Sequence, residues 1–283
     1  MILKETIELS VTARNLEEIK VFAEAGADGF LIGNQEFAVN IDRGFSAVDL
    51  VTAIELAKSL GKKVYLLANA LYHNAELAAL TQYLSQAAKL GVDAVVFEDP
   101  AVYSLVTELG LNLPLHLSSG SMITSSGVIN FWGSRGITRA EPAREISVDE
   151  ILAVQSKSAI ELGVQVYGRT PIFYSRRQLV SSYQEYINYE DRNPVKIDVG
   201  DQYLFLREEQ RPEVEFPLIE DIHGTHVYSD QVIDLRDAFP VFLSAGIRNF
   251  KIDGIFMSTT KILEIIADIR QHIDWLSQDG GLV

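Results

Sequence analysis

The sequence contains no cysteine among its 283 residues. This absence excludes disulfide bonds, thiolate nucleophiles and metal clusters held by cysteine. It also contains no run of about 18 apolar residues, the length that a membrane-spanning helix requires. Residues 1–10 lack the basic and then apolar pattern of a signal peptide. We therefore expect a cytoplasmic protein that does not enter the membrane.

Basic residues are also scarce in this chain. It has 24 Lys and Arg residues against 39 Asp and Glu residues, which gives a net charge of −15. Nucleic-acid binding depends largely on neutralising phosphates with Lys and Arg. Any contact with RNA therefore requires a local basic patch or a basic partner.

A short unit recurs along the chain: an amphipathic stretch, a glycine, and an apolar run that ends in polar residues. Six such apolar runs lie at residues 29–33, 64–69, 94–99, 114–118, 137–141 and 250–253, and two further runs at 7–10 and 160–166 bring the number to eight. Runs that are apolar on both faces are typical of parallel strands covered by helices. Eight such strands predict an α/β fold, a TIM-like (β/α)8 barrel. An open doubly wound sheet is the alternative, disfavoured because no Gly-x-Gly-x-x-Gly follows the first strand.

The repeat is interrupted once, between the seventh and the eighth strand. Residues 168–240 hold an aromatic and basic stretch followed by proline-rich and charge-rich segments. Long interruptions of this kind are usually functional or fold as a small subdomain. We predict one barrel domain, residues 1–283, with 168–240 as an inserted segment over the barrel mouth.

Candidate site residues follow from the rule that barrel enzymes act at the carboxyl ends of their strands. The predicted catalytic residues are His73, Glu98 and Asp253. The predicted substrate-binding residues are Asn69, Arg144, Arg169, Arg177 and Tyr183. For polar residues in these positions, capping of the next helix is the competing interpretation, and Asp99, Ser118, Ser125 and Ser147 fit it well.

Three of these features allow more than one interpretation. His73 has the side chain of a general base near neutral pH, but a loop histidine bonded to the backbone is equally consistent with the sequence. His223 and His226 lie beside two carboxylates and could bind zinc or iron, or could stabilise a turn. The tyrosines and arginines of the inserted segment suit either RNA or a protein interface.

Several motifs, in this order along the chain, carry a family resemblance. They include EAGAD at 24–28, DPAV at 99–102, HLS at 116–118, REIS at 144–147 and KIDG at 251–254. The chain resembles peptidase family U32, the collagenase-like proteins, over nearly its whole length. The resemblance implies a TIM-like barrel and carries the label of a peptidase, a hydrolase, for which no catalytic mechanism is settled.

Better-understood relatives in this family modify small molecules and RNA. The resemblance implies hydroxylation of a quinone precursor, of an RNA cytidine, or of the wobble uridine of tRNA with prephenate as a source. Several members hold a four-iron cluster with four cysteines. Pro171 and Gln178 stand at two of those positions here, so we expect no iron–sulfur cluster and no other cofactor.

The chain is most similar to the short, cysteine-free form that some Gram-positive bacteria carry beside a longer paralogue. This implies a component of wobble-uridine 5-hydroxylation that contacts tRNA indirectly. It would act in a hetero-oligomer with the longer paralogue, or as a homo-oligomer. A U32 peptidase and a non-catalytic binding subunit are the alternatives, and the sequence leaves open whether this subunit is itself an enzyme.

Overall fold

The computed structural model describes residues 7–42, 44–190 and 203–278. The strands are β1 (Glu8–Thr12), β2 (Gly29–Ile32), β3 (Lys63–Ala68), β4 (Ala94–Phe97), β5 (Leu115–Leu117), β6 (Arg139–Ala140), β7 (Glu161–Ser175), β8 (Leu204–Glu208), β9 (Arg211–Asp221), β10 (Gly224–Asp234) and β11 (Asn249–Ile252). The helices are α1 (Leu16–Ala25), α2 (Ala47–Ser59), α3 (Leu77–Leu90), α4 (Pro100–Glu108), α5 (Ser126–Gly133), α6 (Val148–Gln155), α7 (Leu179–Glu190), α8 (Phe239–Ser244) and α9 (Thr259–Gln278).

Eight parallel strands close into a barrel. Strands β1 to β7 pair in sequence order, and β11 pairs with both β1 and β7. The double pairing of β11 joins the two ends of the sheet, and helices follow the strands around it. The predicted TIM-like (β/α)8 barrel is confirmed, and the open doubly wound alternative is wrong.

Local signals set the ends of several helices. Gly26 after α1 and Gly91 after α3 have φ values of 109° and 63°, a left-handed conformation that terminates a helix at little cost for glycine. The predicted capping roles of Asp99 and Ser147 are confirmed by hydrogen bonds to backbone N–H groups. Ser125 also precedes a helix, but its side chain makes no capping hydrogen bond.

The core lies between the outer face of the barrel and the helices. On α3 the side chains of Leu80, Leu84 and Ala87 are buried, and on α9 the buried side chains include those of Ile262 and Ile266. Each fully buried Leu or Ile contributes about 1.5–3 kcal/mol relative to an exposed one. No helix within the described ranges is long and apolar enough to cross a membrane.

The chain divides into two compact units. One comprises Met1–Gly168 with Asp234–Val283, which is the barrel, and the other is Arg169–Ile233. This division lies within the predicted insertion of residues 168–240, of which residues 191–202 are outside the described part. That the insertion covers the barrel mouth stays a prediction.

The described part of the inserted unit, residues 169–190 and 203–233, is a small antiparallel sheet with one helix. From the distal half of β7 the strand order is β10, β9, β8, and α7 follows β7 in the chain. The first N–H groups of α7 are satisfied from the sheet: Val180 and Ser181 donate to the Glu220 carboxylate, and Leu179 donates to the Thr225 hydroxyl. A carboxylate in this place also favours the positive end of the helix dipole.

Candidate functional site

Four of the predicted side chains lie at the mouth of the barrel. Asn69 follows β3, Glu98 follows β4, Asp253 follows β11, and Arg144 lies in the loop after β6. The structure brings them together in two linked groups, one around Glu98 and one around Asp253. The Arg144 guanidinium connects them because its charge acts on both carboxyls.

The first group holds the Glu98 carboxyl in a defined place. The Ser118 hydroxyl donates to Glu98 Oε1 at 3.0 Å, and the Asn69 amide also hydrogen-bonds the carboxyl. Asn69 is itself fixed, since its Oδ1 accepts from the Val39 N–H at 3.1 Å and its Nδ2 donates to the Val39 carbonyl at 3.2 Å. The predicted capping role of Ser118 is therefore wrong, because its hydroxyl is bonded to Glu98 and caps no helix.

Gly120 makes room for this carboxyl. A Cβ atom at position 120 would lie 2.2 Å from Glu98 Oε2, far inside van der Waals contact. Any side chain at residue 120 would therefore displace the Glu98 carboxyl. Glycine at this position leaves the room that the Glu98 carboxyl occupies.

The second group surrounds Asp253, which is 4% exposed. Asp253 Oδ2 lies 4.0 Å from an Arg144 terminal nitrogen, and Asp253 Oδ1 accepts from the Ile255 N–H at 3.3 Å. Two residues earlier on β11, Lys251 Nζ forms a 2.7 Å ion pair with Glu141. Both ends of that pair face the barrel interior, directly below the mouth.

Burial shifts the protonation of the two mouth acids in the same direction. It raises the pKa of Glu98, although the Ser118 hydrogen bond and the Arg144 charge act against it. Burial likewise raises the pKa of Asp253 against the charges of Lys251 and Arg144. A raised pKa widens the pH range over which each carboxyl is neutral, the form in which a carboxylic acid can donate a hydrogen bond or a proton.

Two polar atoms at the mouth have no hydrogen-bond partner within the described part of the chain. They are Arg144 Nε and Ser119 Oγ, and both are buried. Leaving such a donor unsatisfied costs about 1–3 kcal/mol, more for a charged group. A ligand at the mouth that accepts these hydrogen bonds would recover that cost.

The loops at the mouth also hold strained backbone. Asn40, Met122 and Phe256 have φ values of 60°, 53° and 62°, in the left-handed region that side chains with a Cβ rarely adopt. They lie in the loops after β2, β5 and β11, on the same end of the barrel as Glu98 and Asp253. Strain of this kind concentrates at ligand sites.

His73 lies in the loop after β3 but does not join these groups. Its side chain is exposed and hydrogen-bonds none of the described residues, while its backbone N–H donates to Glu76 at 2.6 Å. This geometry is that of a loop residue at the start of α3. The catalytic role of His73 stays a prediction.

The other three predicted residues belong to the inserted unit. Arg169 donates to the carbonyls of Ser229 and Asp230 at 2.5 and 2.6 Å, so its guanidinium links β7 to β10. Arg177 and Tyr183 are exposed at the start of α7. Their roles in substrate binding also stay predictions.

The histidines of the inserted unit, His223 and His226, are buried. The His223 Nδ1 atom lies 2.9 Å from an Arg176 nitrogen, and a guanidinium can only donate, so this ring nitrogen accepts. The His226 ring stacks on Tyr174 at 4.7 Å. Within the described ranges no group of three or more His, Cys, Asp or Glu residues could hold a metal ion. The contacts of His223 with Arg176 and of His226 with Tyr174 are typical of a turn that neighbouring side chains hold in place.

Comparison with known proteins identifies the family of this chain. The model of peptidase family U32 matches residues 14–281. The chain belongs to peptidase family U32. The solved structure of the U32 peptidase Mk0906 has a TM-score of 0.51 over 71% of this chain and 84% of its own, at 15% identity, which bears on the fold alone.

Two curated relatives in the U32 family come from Bacillus subtilis (strain 168). The tRNA hydroxylation protein P2 is 35% identical over 94% of this chain and 85% of its own length. The tRNA hydroxylation protein P1 is 26% identical over 94% of this chain but only 63% of its own length. The match therefore spans most of the length of P2 but less than two thirds of the length of P1.

The four-iron cluster that the family resemblance implies does not fit this U32 chain. Pro171 has no donor atom in its side chain, and Gln178 Nε2 contacts the Asp221 carbonyl at 3.4 Å. With no cysteine in the sequence, no thiolate is present to bind iron.

Sequence reasoning missed two residues of the mouth: Lys251 and Gly120. Lys251 could have been predicted, because residues two apart on a strand share a face and Asp253 was already a candidate. Gly120 carries no sequence signal, since its importance depends on where the Glu98 side chain lies.

Proposed function

We propose that this chain is a component of tRNA hydroxylation in the cytoplasm and acts together with a longer U32 chain. The observation that carries the proposal is the 35% identity to the tRNA hydroxylation protein P2 along 94% of the chain. One organism carries both P1 and P2 under this description, which supports a partnership of two family members.

The barrel mouth supplies the chemistry for a small ligand. Lys251 is paired with Glu141 at 2.7 Å, whereas the Arg144 guanidinium acts on two carboxyls whose pKa is raised by burial. Together with the unsatisfied Arg144 Nε, this suits an anionic ligand such as the prephenate that the resemblance implies. In their protonated form, Glu98 and Asp253 would donate hydrogen bonds or a proton to it.

Peptide hydrolysis finds less support at this mouth. A serine nucleophile needs a base that takes its proton. Ser118 donates to Glu98, whose pKa is raised, and no histidine within the described residues hydrogen-bonds Ser118 or Ser119. The described residues of the mouth therefore provide no pair of nucleophile and base for the peptidase activity that the family label names.

The inserted unit offers the surface for a partner. A groove of about 630 Å³ is lined mostly by apolar side chains, among them Ile172, Phe173, Tyr183, Phe205 and Leu206, and these five are 48–59% exposed. Exposed apolar patches of this kind mark interaction sites. Tyr and Phe are also enriched in protein interfaces.

The charges of the inserted unit favour a protein over RNA as the occupant of this groove. Arg207 pairs with Glu215, and Arg211 pairs with Glu208 at 2.7 Å. Arg169 is engaged by backbone carbonyls. Guanidiniums bound in this way are poor phosphate contacts, and the net charge of −15 opposes RNA further.

Binding between this chain and its longer paralogue tests the proposal. Phe205→Glu places a charge in the groove, and we expect it to weaken the complex about tenfold or more, which corresponds to about 1.4 kcal/mol. Val48→Glu is the matched control, since Val48 is a 78% exposed side chain on barrel helix α2. Sedimentation or calorimetry on the mixed pure proteins measures the affinity.

The same samples separate a protein partner from RNA. Wild type should bind tRNA weakly alone and more tightly in the mixture. If Phe205→Glu instead lowers tRNA affinity of the isolated chain and leaves the protein complex unchanged, the groove binds RNA. If no complex forms with the paralogue, the partnership is wrong.

A further inference from the structure

We propose that Arg14 is a positioning residue, whose guanidinium locks the two loops that hold the mouth acids Glu98 and Asp253 in place. Arg14 lies between β1 and α1, at the same end of the barrel as these acids. The locking of the loops concerns this protein alone, whereas its value for the reaction rests on the proposed function.

The Arg14 guanidinium bridges two loops. Its Nη1 atom donates to Asp42 Oδ2 at 3.1 Å, in the loop after β2, and to the Met257 carbonyl at 2.9 Å, in the loop after β11. Its Nε atom lies 2.9 Å from Glu18 Oε1 and 3.1 Å from Glu18 Oε2. The Arg14 side chain is 19% exposed and that of Glu18 only 2%. A planar guanidinium suits such a place, because its five donors are fixed in direction and can serve several acceptors at once.

The loop after β2 leads to Glu98. Val39 lies in this loop shortly before Asp42, and it exchanges two hydrogen bonds with the Asn69 side chain, of 3.1 and 3.2 Å. The Asn69 Nδ2 atom carries two hydrogens, and the Asn69 amide also hydrogen-bonds the Glu98 carboxyl. A movement of this loop would therefore turn the Asn69 amide and remove the donor that Glu98 receives.

The loop after β11 leads to Asp253. The Ile255 N–H donates to Asp253 Oδ1 at 3.3 Å. The Met257 N–H donates to the Gly254 carbonyl at 3.0 Å, so that these residues form one tight turn. The hydrogen bond from Arg14 to the Met257 carbonyl fixes the far end of this turn.

Both loops hold a strained residue beside the point that Arg14 contacts. Asn40 lies just before Asp42 and has a φ of 60°, and Phe256 lies directly before Met257 and has a φ of 62°. Residues other than glycine keep such a conformation only where the surrounding contacts over-determine it. Without the Arg14 contacts, we expect both segments to relax and to release the two acids from their positions.

Arg14→Lys tests the lock. Lysine keeps a positive charge beside the buried Glu18 carboxylate, but its ammonium cannot reproduce the planar fork that reaches both loops. Hydrogen exchange of the pure chain, followed by mass spectrometry, should be about tenfold or more faster in residues 37–42 and 254–257. The thermal melt should stay close to that of wild type.

The matched control is Arg135→Lys. Arg135 is an exposed arginine at the end of α5, and its Nη1 atom donates to the Phe131 carbonyl at 2.9 Å. The same change of residue type there should leave exchange in both loops as in wild type.

Asp42→Ala removes one arm of the lock. The Asp42 side chain is 12% exposed, and the ion pair of Arg14 with Glu18 remains in this variant. Exchange should therefore rise in residues 37–42 and stay as in wild type in residues 254–257.

The titration of Glu98 shows whether the lock reaches the acid. The Asn69 hydrogen bond lowers the pKa of Glu98 against the effect of burial, so its loss should raise that pKa further. The charges of Arg144 and Glu141, which also act on Glu98, are the same in wild type and Arg14→Lys. Carbon-13 NMR of labelled glutamate carboxyls, with the Glu98 signal assigned by its loss in Glu98→Gln, should show a higher pKa in Arg14→Lys and no change in the control variant.

Modification in cells tests the value of the lock for the reaction. In a strain that depends on this chain for tRNA hydroxylation, Arg14→Lys should lower hydroxylated uridine about tenfold or more, because small displacements of reacting groups are costly in rate. Arg135→Lys should support wild-type levels.

Each outcome decides one of the claims. Unchanged exchange in both loops of Arg14→Lys, or an unchanged Glu98 titration, would overturn the proposal. Should Arg14→Lys fail to fold, Asp42→Ala decides, since it must then speed exchange in residues 37–42 and raise the pKa of Glu98. Looser loops with wild-type modification would mean that Arg14 does not position the acids for the reaction. If the wild-type gene itself restores no hydroxylation, the proposed function is wrong and the role in the reaction falls with it, whereas exchange and titration still decide the lock.

Discussion

Replacing Gly120 by alanine is expected to abolish tRNA hydroxylation while the barrel stays folded. The added Cβ would lie 2.2 Å from Glu98 Oε2 and 2.2 Å from its Cδ. These atoms are the end of a flexible side chain, so Glu98 can turn away without moving the backbone. It would then lose its hydrogen bonds with Ser118 and Asn69. Misplacing a reacting group by about 1 Å can cost about 100-fold in rate.

The matched control is Gly127→Ala on α5. A Cβ there would meet its nearest atom, Ser125 Oγ, at 3.6 Å, which is ordinary contact. Quantifying hydroxylated uridine in cells that carry each variant measures the effect, and circular dichroism shows whether both fold. Wild-type modification in the Gly120→Ala strain would mean that the position of Glu98 does not matter to the reaction.

Replacing Arg139 by methionine is expected to destabilise the barrel by about 3–5 kcal/mol, because it leaves a buried carboxylate without its main partner. Glu8 is 7% exposed, and Arg139 Nη1 lies 2.7 Å from its Oε1. Lys63 also contacts Glu8, at 2.6 Å, but Lys63 is 51% exposed. Lys63→Met should therefore cost only about 1 kcal/mol or less.

The pH dependence of unfolding gives a second readout of this ion pair. Burial alone would raise the pKa of Glu8, but hydrogen bonds and charge from Arg139, with Lys63 and Tyr65, lower it from 4.5 to about 2. A lowered pKa stabilises the fold above pH 4.5, and this contribution is lost as the pH falls towards 2. It amounts to about 3 kcal/mol.

Urea unfolding of wild type and Arg139→Met from pH 6 to pH 2.5 measures both effects. The variant should be less stable at pH 6 and should lose less stability on acidification. The double variant Glu8→Gln with Arg139→Met should recover part of the loss, because no charge remains buried. Equal stability of wild type and Arg139→Met at pH 6 would contradict a stabilising role for the pair.

The barrel could be predicted from the sequence because its signals are local and repeated. Each apolar run can be recognised from its own residues, six of the eight also follow a glycine, and eight such runs leave few arrangements. The inserted unit could not be predicted in the same way. Its strands at residues 204–208 and 211–221 are rich in charged residues, unlike the apolar runs of the barrel.

The candidate site was predictable only as a set of strand ends. That rule found Asn69, Glu98, Arg144 and Asp253, which the structure brings together. It also selected His73, whose side chain faces solvent, because a rule based on position cannot tell which way a loop residue points. The sequence could not predict the cluster of Glu8, Tyr65 and Arg139. Its members lie up to 131 residues apart and meet only after the barrel closes.

The nucleoside composition of tRNA from a deletion strain tests the central claim most directly. The strain should lack this gene and any second, oxygen-dependent route to the same modification, so that no other pathway masks the loss. Mass spectrometry should show 5-hydroxyuridine and its derivatives absent in this strain, restored by the wild-type gene, and not restored by Gly120→Ala. Unchanged 5-hydroxyuridine in the deletion strain would contradict the account, and the chain would have no part in tRNA hydroxylation.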